Sequence, residues 1–243
     1  MPITINSDLG EGLGLHSFGN DPELMTLIDL ANVACGFHAS DPQIMDATVA
    51  LAAENDVKVG AHPGLPDLVG FGRRAMTLSP DEVENLVTYQ VGALVGYLKK
   101  YDLPLNHIKP HGALFGMIAR DAELMAAVAR VAIRYEVPVL GLANTLQKTV
   151  CDDMGVPFIG EIYVDLGFSP EGALVIERAP KPADPAAAAD RVRTAMTTGA
   201  FPANDGTTPV SLEFGSVCVH SDPHNAADVV RAVRAAIDDV EKH

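Results

Sequence analysis

The chain has 243 residues, 48% of them apolar, which is ample for one large core and excludes a disordered protein. Its formal net charge of −15 makes nucleic acid an unfavourable principal partner, because the surface as a whole repels phosphates. A nucleotide is compatible with that charge, since it needs only a local cationic pocket. Three cysteines, widely spaced and without a CxxC pair, fit a reducing cytoplasm and give no zinc-ribbon spacing. The start, MPITINSDLGEG, reads as lacking a signal peptide, and no apolar run is long enough to cross a membrane.

In chain order, short β-like runs alternate with longer helical patterns. Strands are expected at 3–7, 32–36, 57–61, 107–109, 137–142, 158–164 and 216–219. Helices are expected near 21–30, 42–55, 79–102, 121–135, 144–154, 184–199 and 224–241. Asp41-Pro42 and Ser79-Pro80 each place a capping side chain before a proline at the first helical position. Seven β-then-α units in succession imply parallel strands joined by crossover helices. An open doubly wound sheet is the competing layout. A seven-stranded (β/α) barrel spanning 1–243 as one domain is the better expectation, because motifs follow almost every strand instead of one switch point. Residues 167–179 break the alternation: a Ser169-Pro170-Glu171-Gly172 turn precedes an apolar run, which reads as a hairpin or flap over the barrel mouth.

Polar residues gather where strands are expected to end. Asp8 and Glu11 follow the first, Cys35 and His38 the second. His62, Asp67 and the Gly-x-Gly turn before Arg73 and Arg74 follow the third, Lys109 and His111 the fourth, His220 and Asp222 the last. In a parallel barrel these ends converge on one face, so residues distant in sequence become neighbours. Each has a plainer role open to it. Asp8 could cap a turn, Cys35 could be a small buried side chain instead of a nucleophile, and the two arginines could be solvated. Lys109 is the most distinctive cation, because burying a lysine at a strand end requires a partner. That partner is either a structural carboxylate or a ligand oxygen. His107 reads as a strand-interior residue. The Gly-x-Gly turn matches neither a P-loop nor a dinucleotide fingerprint.

Six stretches taken in order, NSDLGEG (6–12), NVACGFHASD (32–41), GAHPGLPD (60–67), GFGRR (70–74), IKPHGALF (108–115) and VCVHSD (217–222), resemble the LamB/YcsF family. That family is grouped with the seven-stranded barrels of glycoside hydrolases and deacetylases, so the resemblance implies the fold that the alternation already suggests. It also implies ATP-dependent hydrolysis of the lactam 5-oxo-L-proline to L-glutamate, with Mg²⁺ accompanying ATP, performed with the B and C subunits of a 5-oxoprolinase. On that basis Lys109 and Arg73 or Arg74 are expected to stabilise developing negative charge. Asp8 or Glu11, with His38 or His111, would position water and move protons. Cys35, His62, Asp67, Arg73, Arg74, Asp165, His220 and Asp222 are expected to contact the substrate or ATP.

A divalent metal on Asp8, His38 and His62 is a further possibility, since imidazole with carboxylate suits such ions. It belongs to an alternative reading, a metal-dependent amide or polysaccharide deacetylase. A third reading is a non-catalytic subunit that binds a small substrate. The sequence departs from the family pattern at Asp165-Leu166-Gly167-Phe168, where Asp-Arg-x-Tyr is expected. Smaller departures are Ser7, Gly64-Leu65, Phe115 and Ser221. The missing arginine bears on which lactam is taken.

Overall fold

The structure, a computed structural model, describes residues 2–175 and 182–242. Seven strands close into a parallel barrel: β1 (Thr4–Leu9), β2 (Leu30–Ala34), β3 (Lys58–His62), β4 (Leu105–Ile108), β5 (Val139–Gly141), β6 (Phe158–Tyr163) and, from the far end of the chain, Ser216–Cys218. The last of these lies between β6 and β1 and completes the ring. A closed ring has no exposed edge, which an open doubly wound sheet would have kept. Between β6 and that closing strand run two small antiparallel hairpins. The first pairs β7 (Gly167–Phe168) with β8 (Leu174–Val175), and the second pairs β9 (Phe201–Pro202) with β10 (Pro209–Val210). The closing strand is therefore β11.

Eight helices surround the described barrel: α1 (Asp21–Leu24), α2 (Pro42–Glu54), α3 (Pro80–Lys100), α4 (Gly112–Ile118), α5 (Ala122–Tyr135), α6 (Leu146–Met154), α7 (Pro185–Thr198) and α8 (Ala226–Glu241). Caps fix where several begin. The Asp41 carboxylate accepts from the Gln43 and Ile44 amides, and Ser79 forms a reciprocal capping box with Glu82. The apolar stripes of α3 and α5 bury Val87, Val91, Leu94, Val128 and Val131 toward the sheet and toward each other, and that of α8 buries Val230 and Val233 in the core beside α7.

Two helical expectations need correction. The helix expected at 21–30 is one turn, Asp21–Leu24. Leu30 instead pairs with β1 and β3, and Asp29 accepts from the Ile5 amide, so the chain must be extended there. The short helix α4, directly after His111, has no counterpart among the expected elements. Its Gly112 sits at φ +56 and turns the chain immediately off β4. The expected flap is the β7–β8 hairpin as far as Val175; its remainder, 176–179, lies outside the described residues. Among the described residues no helix is long and apolar enough to cross a membrane.

Candidate active site

The barrel interior is polar at its C-terminal half. Successive inward positions follow the two-residue strand period: Asn6 and Asp8 on β1, Glu161 and Tyr163 on β6, Ser216 and Cys218 on β11. Asn32 on β2 lies directly across from Asp8 in the sheet register. All are buried, together with His107 and Lys109.

Lys109 is the centre of this network. Its Nζ donates to Asp8 Oδ1 at 3.0 Å, Asn6 Oδ1 at 3.1 Å and Cys218 Sγ at 3.1 Å, which uses all three ammonium protons. Glu161 Oε2 is 3.2 Å away as a second counter-charge, but no proton is left to bond it, and that oxygen has no hydrogen-bond partner. Burial opposes the Lys109 charge, yet Asp8, with Glu161 beside it, overcomes this and holds its pKa well above the lysine range. Burial likewise pushes Asp8 upward, but His62 and Lys109 outweigh it and keep the carboxylate ionised. Asn32 Nδ2 donates to the same Asp8 oxygen at 2.7 Å, and His107 Nε2 donates to Asn32 Oδ1 at 2.6 Å. Asp8 is thereby held from below by a chain of buried groups.

Above this floor stand three imidazoles and Glu11. Glu11 Oε1 is 3.3 Å from His38 Nε2, 3.3 Å from His111 Nδ1 and 4.0 Å from His62 Nε2. His62 Nδ1 meets the Lys109 carbonyl at 2.7 Å, and His111 Nε2 meets the Phe71 carbonyl at 2.8 Å. The His38 and His111 rings stack in parallel, 3.7 Å between centroids and 4° between planes, with His62 perpendicular to both. Gly72, at φ +64, packs on this stack. A Cβ there would lie 2.7 Å from His38 Cβ and 3.0 Å from His111 Cδ2, so the Gly-x-Gly turn serves the imidazoles. Burial lowers the basicity of His38 and His111 well below the usual range, and burial raises that of Glu11.

The third part of the site is His220. Its Nδ1 and its backbone amide both donate to Asp165 Oδ2, at 2.9 and 2.8 Å, and its ring lies over Tyr163. Burial alone would make it less basic, but Asp165 reverses this and brings its pKa to about 9. It is therefore a fixed imidazolium at neutral pH.

Asp8, Glu11, His62, Lys109, His111, Arg73, Asp165, His220 and Asp222 all line one pocket at the barrel mouth. Its apolar wall comes from Phe115, Tyr163, Leu166 and, from the β7–β8 hairpin, Leu174. Arg73 rests on the Phe71 ring, with Asp222 at 3.9 Å. Four residues expected in the site do not line this pocket. Arg74 and Asp67 form an ion pair outside the pocket that holds the Asp67 carboxyl at about 2. Cys35 is buried, bonds the Val33 carbonyl, and has its thiol pushed up to about 12, so it is not a nucleophile. His38 lies behind His111 and does not line the pocket.

The ligand atoms of Glu11, His38, His62 and His111 all lie within 4.8 Å of one another and could hold a metal ion. This cluster includes His38 and His62 but takes Glu11 in place of Asp8, whose Oδ1 is committed to Lys109 and Asn32. A second trio, Asp8, Cys218 and His220, is poorly suited. Burial keeps the Cys218 thiol protonated, and His220 is bound to Asp165. Sequence reasoning missed Asn6, Asn32, Glu161, Tyr163 and Cys218. The available signal was the alternation of polar residues two apart in otherwise apolar strands.

A closed parallel barrel with an ionisable pocket at the carboxyl ends of its strands defines a small-ligand barrel protein. More narrowly, this chain belongs to the LamB/YcsF family, whose model matches residues 3–242. It is 43% identical to the lactam utilization protein lamB of Emericella nidulans, over 98% of this chain and 95% of that one. It is also 43% identical to the 5-oxoprolinase A subunit of Limosilactobacillus fermentum, over 96% and 94%. The crystal structure of a lactam utilization protein from Thermus thermophilus superposes with a TM-score of 0.91 at 38% identity, covering 99% of this chain and 98% of the other.

Proposed function

We propose that this chain is the A subunit of a 5-oxoprolinase, a hydrolase that opens the lactam of 5-oxo-L-proline to give L-glutamate. The observation that carries this reading is near-full-length similarity to relatives named for lactam utilization and for that subunit. The pocket chemistry is compatible with it. A lactam has one face apolar and one edge carrying a carbonyl and an N–H. The pocket lining combines apolar Tyr163, Phe115 and Leu166 with ionisable Glu11, His62 and His111.

An unstrained five-membered lactam resists water at neutral pH, and coupling to ATP supplies both activation and driving force. Phosphorylation of the amide oxygen would give an imidate that water attacks. Mg²⁺ would accompany ATP, and B and C subunits would complete the enzyme. In this scheme Asp8 accepts the proton of the attacking water, which Glu11, His62 and His111 position. Arg73 and the His220 imidazolium stabilise anionic oxygens at the mouth. Lys109 acts from the floor as the charge that keeps Asp8 ionised.

The experiment is to follow ADP and glutamate formation from ATP and 5-oxo-L-proline, first with this chain alone and then with candidate B and C partners. Equal amounts of both products in the mixture are expected. A complete mixture that forms neither product refutes the proposal.

A further inference from the structure

Among the four clustered residues, the hydrogen bonds fix the ring protons. The Lys109 and Phe71 carbonyls can only accept, so His62 carries its proton on Nδ1 and His111 carries its proton on Nε2. With one N–H per ring, the form in which imidazole ligates a metal, His62 Nε2 and His111 Nδ1 both present lone pairs. These two atoms are 3.0 Å apart. Glu11 Oε1 joins them, 4.0 Å from His62 Nε2 and 3.3 Å from His111 Nδ1. With Asp8 Oδ2 also 3.3 Å from His62 Nε2, four acceptor atoms converge on one buried point, which a shared proton or, in its place, a metal ion holds together.

The spacing suits a metal ion. With bonds near 2.0–2.2 Å, tetrahedral nitrogen and oxygen ligands stand about 3.3 Å apart. Two imidazoles and a carboxylate favour zinc-class ions over Mg²⁺ or Ca²⁺. All three residues line the pocket, so a fourth position would face the ligand space.

His38 is different. Its ring is parallel to that of His111, and imidazole lone pairs lie in the ring plane. Two stacked rings cannot both aim at one ion about 2 Å from each nitrogen. His38 Nε2 can instead donate to Glu11 Oε1 at 3.3 Å, which leaves Nδ1 as the buried atom without a partner. We propose that Glu11, His62 and His111 bind one divalent transition-metal ion of the zinc class, with His38 orienting Glu11 instead of ligating.

The test is direct binding to the full chain after chelator treatment, using Co²⁺ as a visible-absorption probe and Zn²⁺ as competitor, with metal content measured by elemental analysis. Binding is read without turnover, so failure here leaves the lactam reading standing. The expected result is one Co²⁺ per chain, displaced by Zn²⁺ and lost in His62→Asn and His111→Asn variants whose circular dichroism matches the parent. His38→Gln should still bind one ion, about 10–100-fold more weakly, as expected for a supporting residue. The parent chain needs no variant to decide the first point: uptake of neither ion above background overturns the proposal. Loss of binding in His38→Gln together with retention in His111→Asn overturns the ligand set.

Discussion

Lys109 Nζ and Asp8 Oδ1 lie 3.0 Å apart in the barrel floor, and both residues are at least 95% buried. Breaking such a pair strands a charge away from water, a loss of about 3–5 kcal/mol when no other partner exists. Here Glu161 is a second partner at 3.2 Å. Asp8→Asn should therefore destabilise toward the low end of that range and still fold, whereas turnover in the assembled enzyme should fall to background. Urea unfolding and the coupled ATPase assay read the two effects separately. A variant with near-normal turnover would remove Asp8 from the chemistry.

Removing Glu161 tests the same relationship from the other side. Glu161 Oε1 accepts from the Tyr163 hydroxyl at 2.6 Å, and Tyr163 carries the ring under His220. Glu161→Gln keeps the shape and removes the second counter-charge. Combined with Asp8→Asn it leaves Lys109 without a carboxylate. The two losses should be strongly non-additive, the double variant costing more than the sum, because each carboxylate compensates for the other. Additive losses would mean that Lys109 does not depend on the pair.

The pH dependence follows from His220 and Asp165. The folded His220 pKa of about 9 lies above the unfolded value of about 6.5. The stabilisation is fully present below the unfolded value and is lost as pH rises through about 9. Its upper bound is about 3 kcal/mol at 1.36 kcal/mol per unit. Asp165→Asn should lower thermal stability at pH 6.5 and converge on the parent above pH 10. A constant deficit across that range would show that the pair contributes by packing and not by charge.

Much of this architecture was legible because the signals were local. Proline after Asp41 and Ser79 and the regular alternation of short β-like runs with helical patterns set the barrel, and turn motifs at strand ends marked its polar face. What was not legible depended on register. Asn6, Asn32 and Glu161 look like isolated polar residues until β1, β2, β6 and β11 pair and bring them to one interior layer. Arg73 and Arg74 are equivalent in sequence, yet only Arg73 lines the pocket, because Arg74 closes on Asp67 seven residues back. The helix expected at 21–30 stops after one turn because Leu30 is already taken into β2 and Asp29 before it accepts from the Ile5 amide.

The floor also sets a steric limit. The backbone of Gly60 on β3 passes so close to His107 that an added Cβ would lie 2.2 Å from Nε2, the nitrogen that donates to Asn32. Gly60→Ala must displace either the strand or the imidazole, and overpacking of this kind costs about 1–3 kcal/mol. Because Asn32 in turn holds Asp8 at 2.7 Å, activity should fall further than stability alone explains. Comparing kcat at a temperature where the variant is fully folded checks this. A variant as active as the parent there would show that the Asn32–His107 contact does not tune Asp8.

Substrate choice is tested at Leu166, which lines the pocket at the position where the family resemblance leads to the expectation of arginine. Its backbone carbonyl is held by Arg191 from α7 at 2.5 Å, so the position is anchored and a new side chain should not displace the strand end. Leu166→Arg would add a cation beside the apolar wall of Phe115 and Leu174. Arginine pairs with carboxylates in a bidentate manner, and a partly exposed pair contributes about 1 kcal/mol. The ratio of kcat/KM for 5-oxo-L-proline over 2-pyrrolidinone, which lacks the carboxylate, should rise about fivefold to tenfold. A rise that comes from a lower KM for 5-oxo-L-proline would place the substrate carboxylate at this wall. A ratio unchanged from the parent would place that carboxylate elsewhere in the pocket, whose lining also includes Arg73, Lys109 and His220.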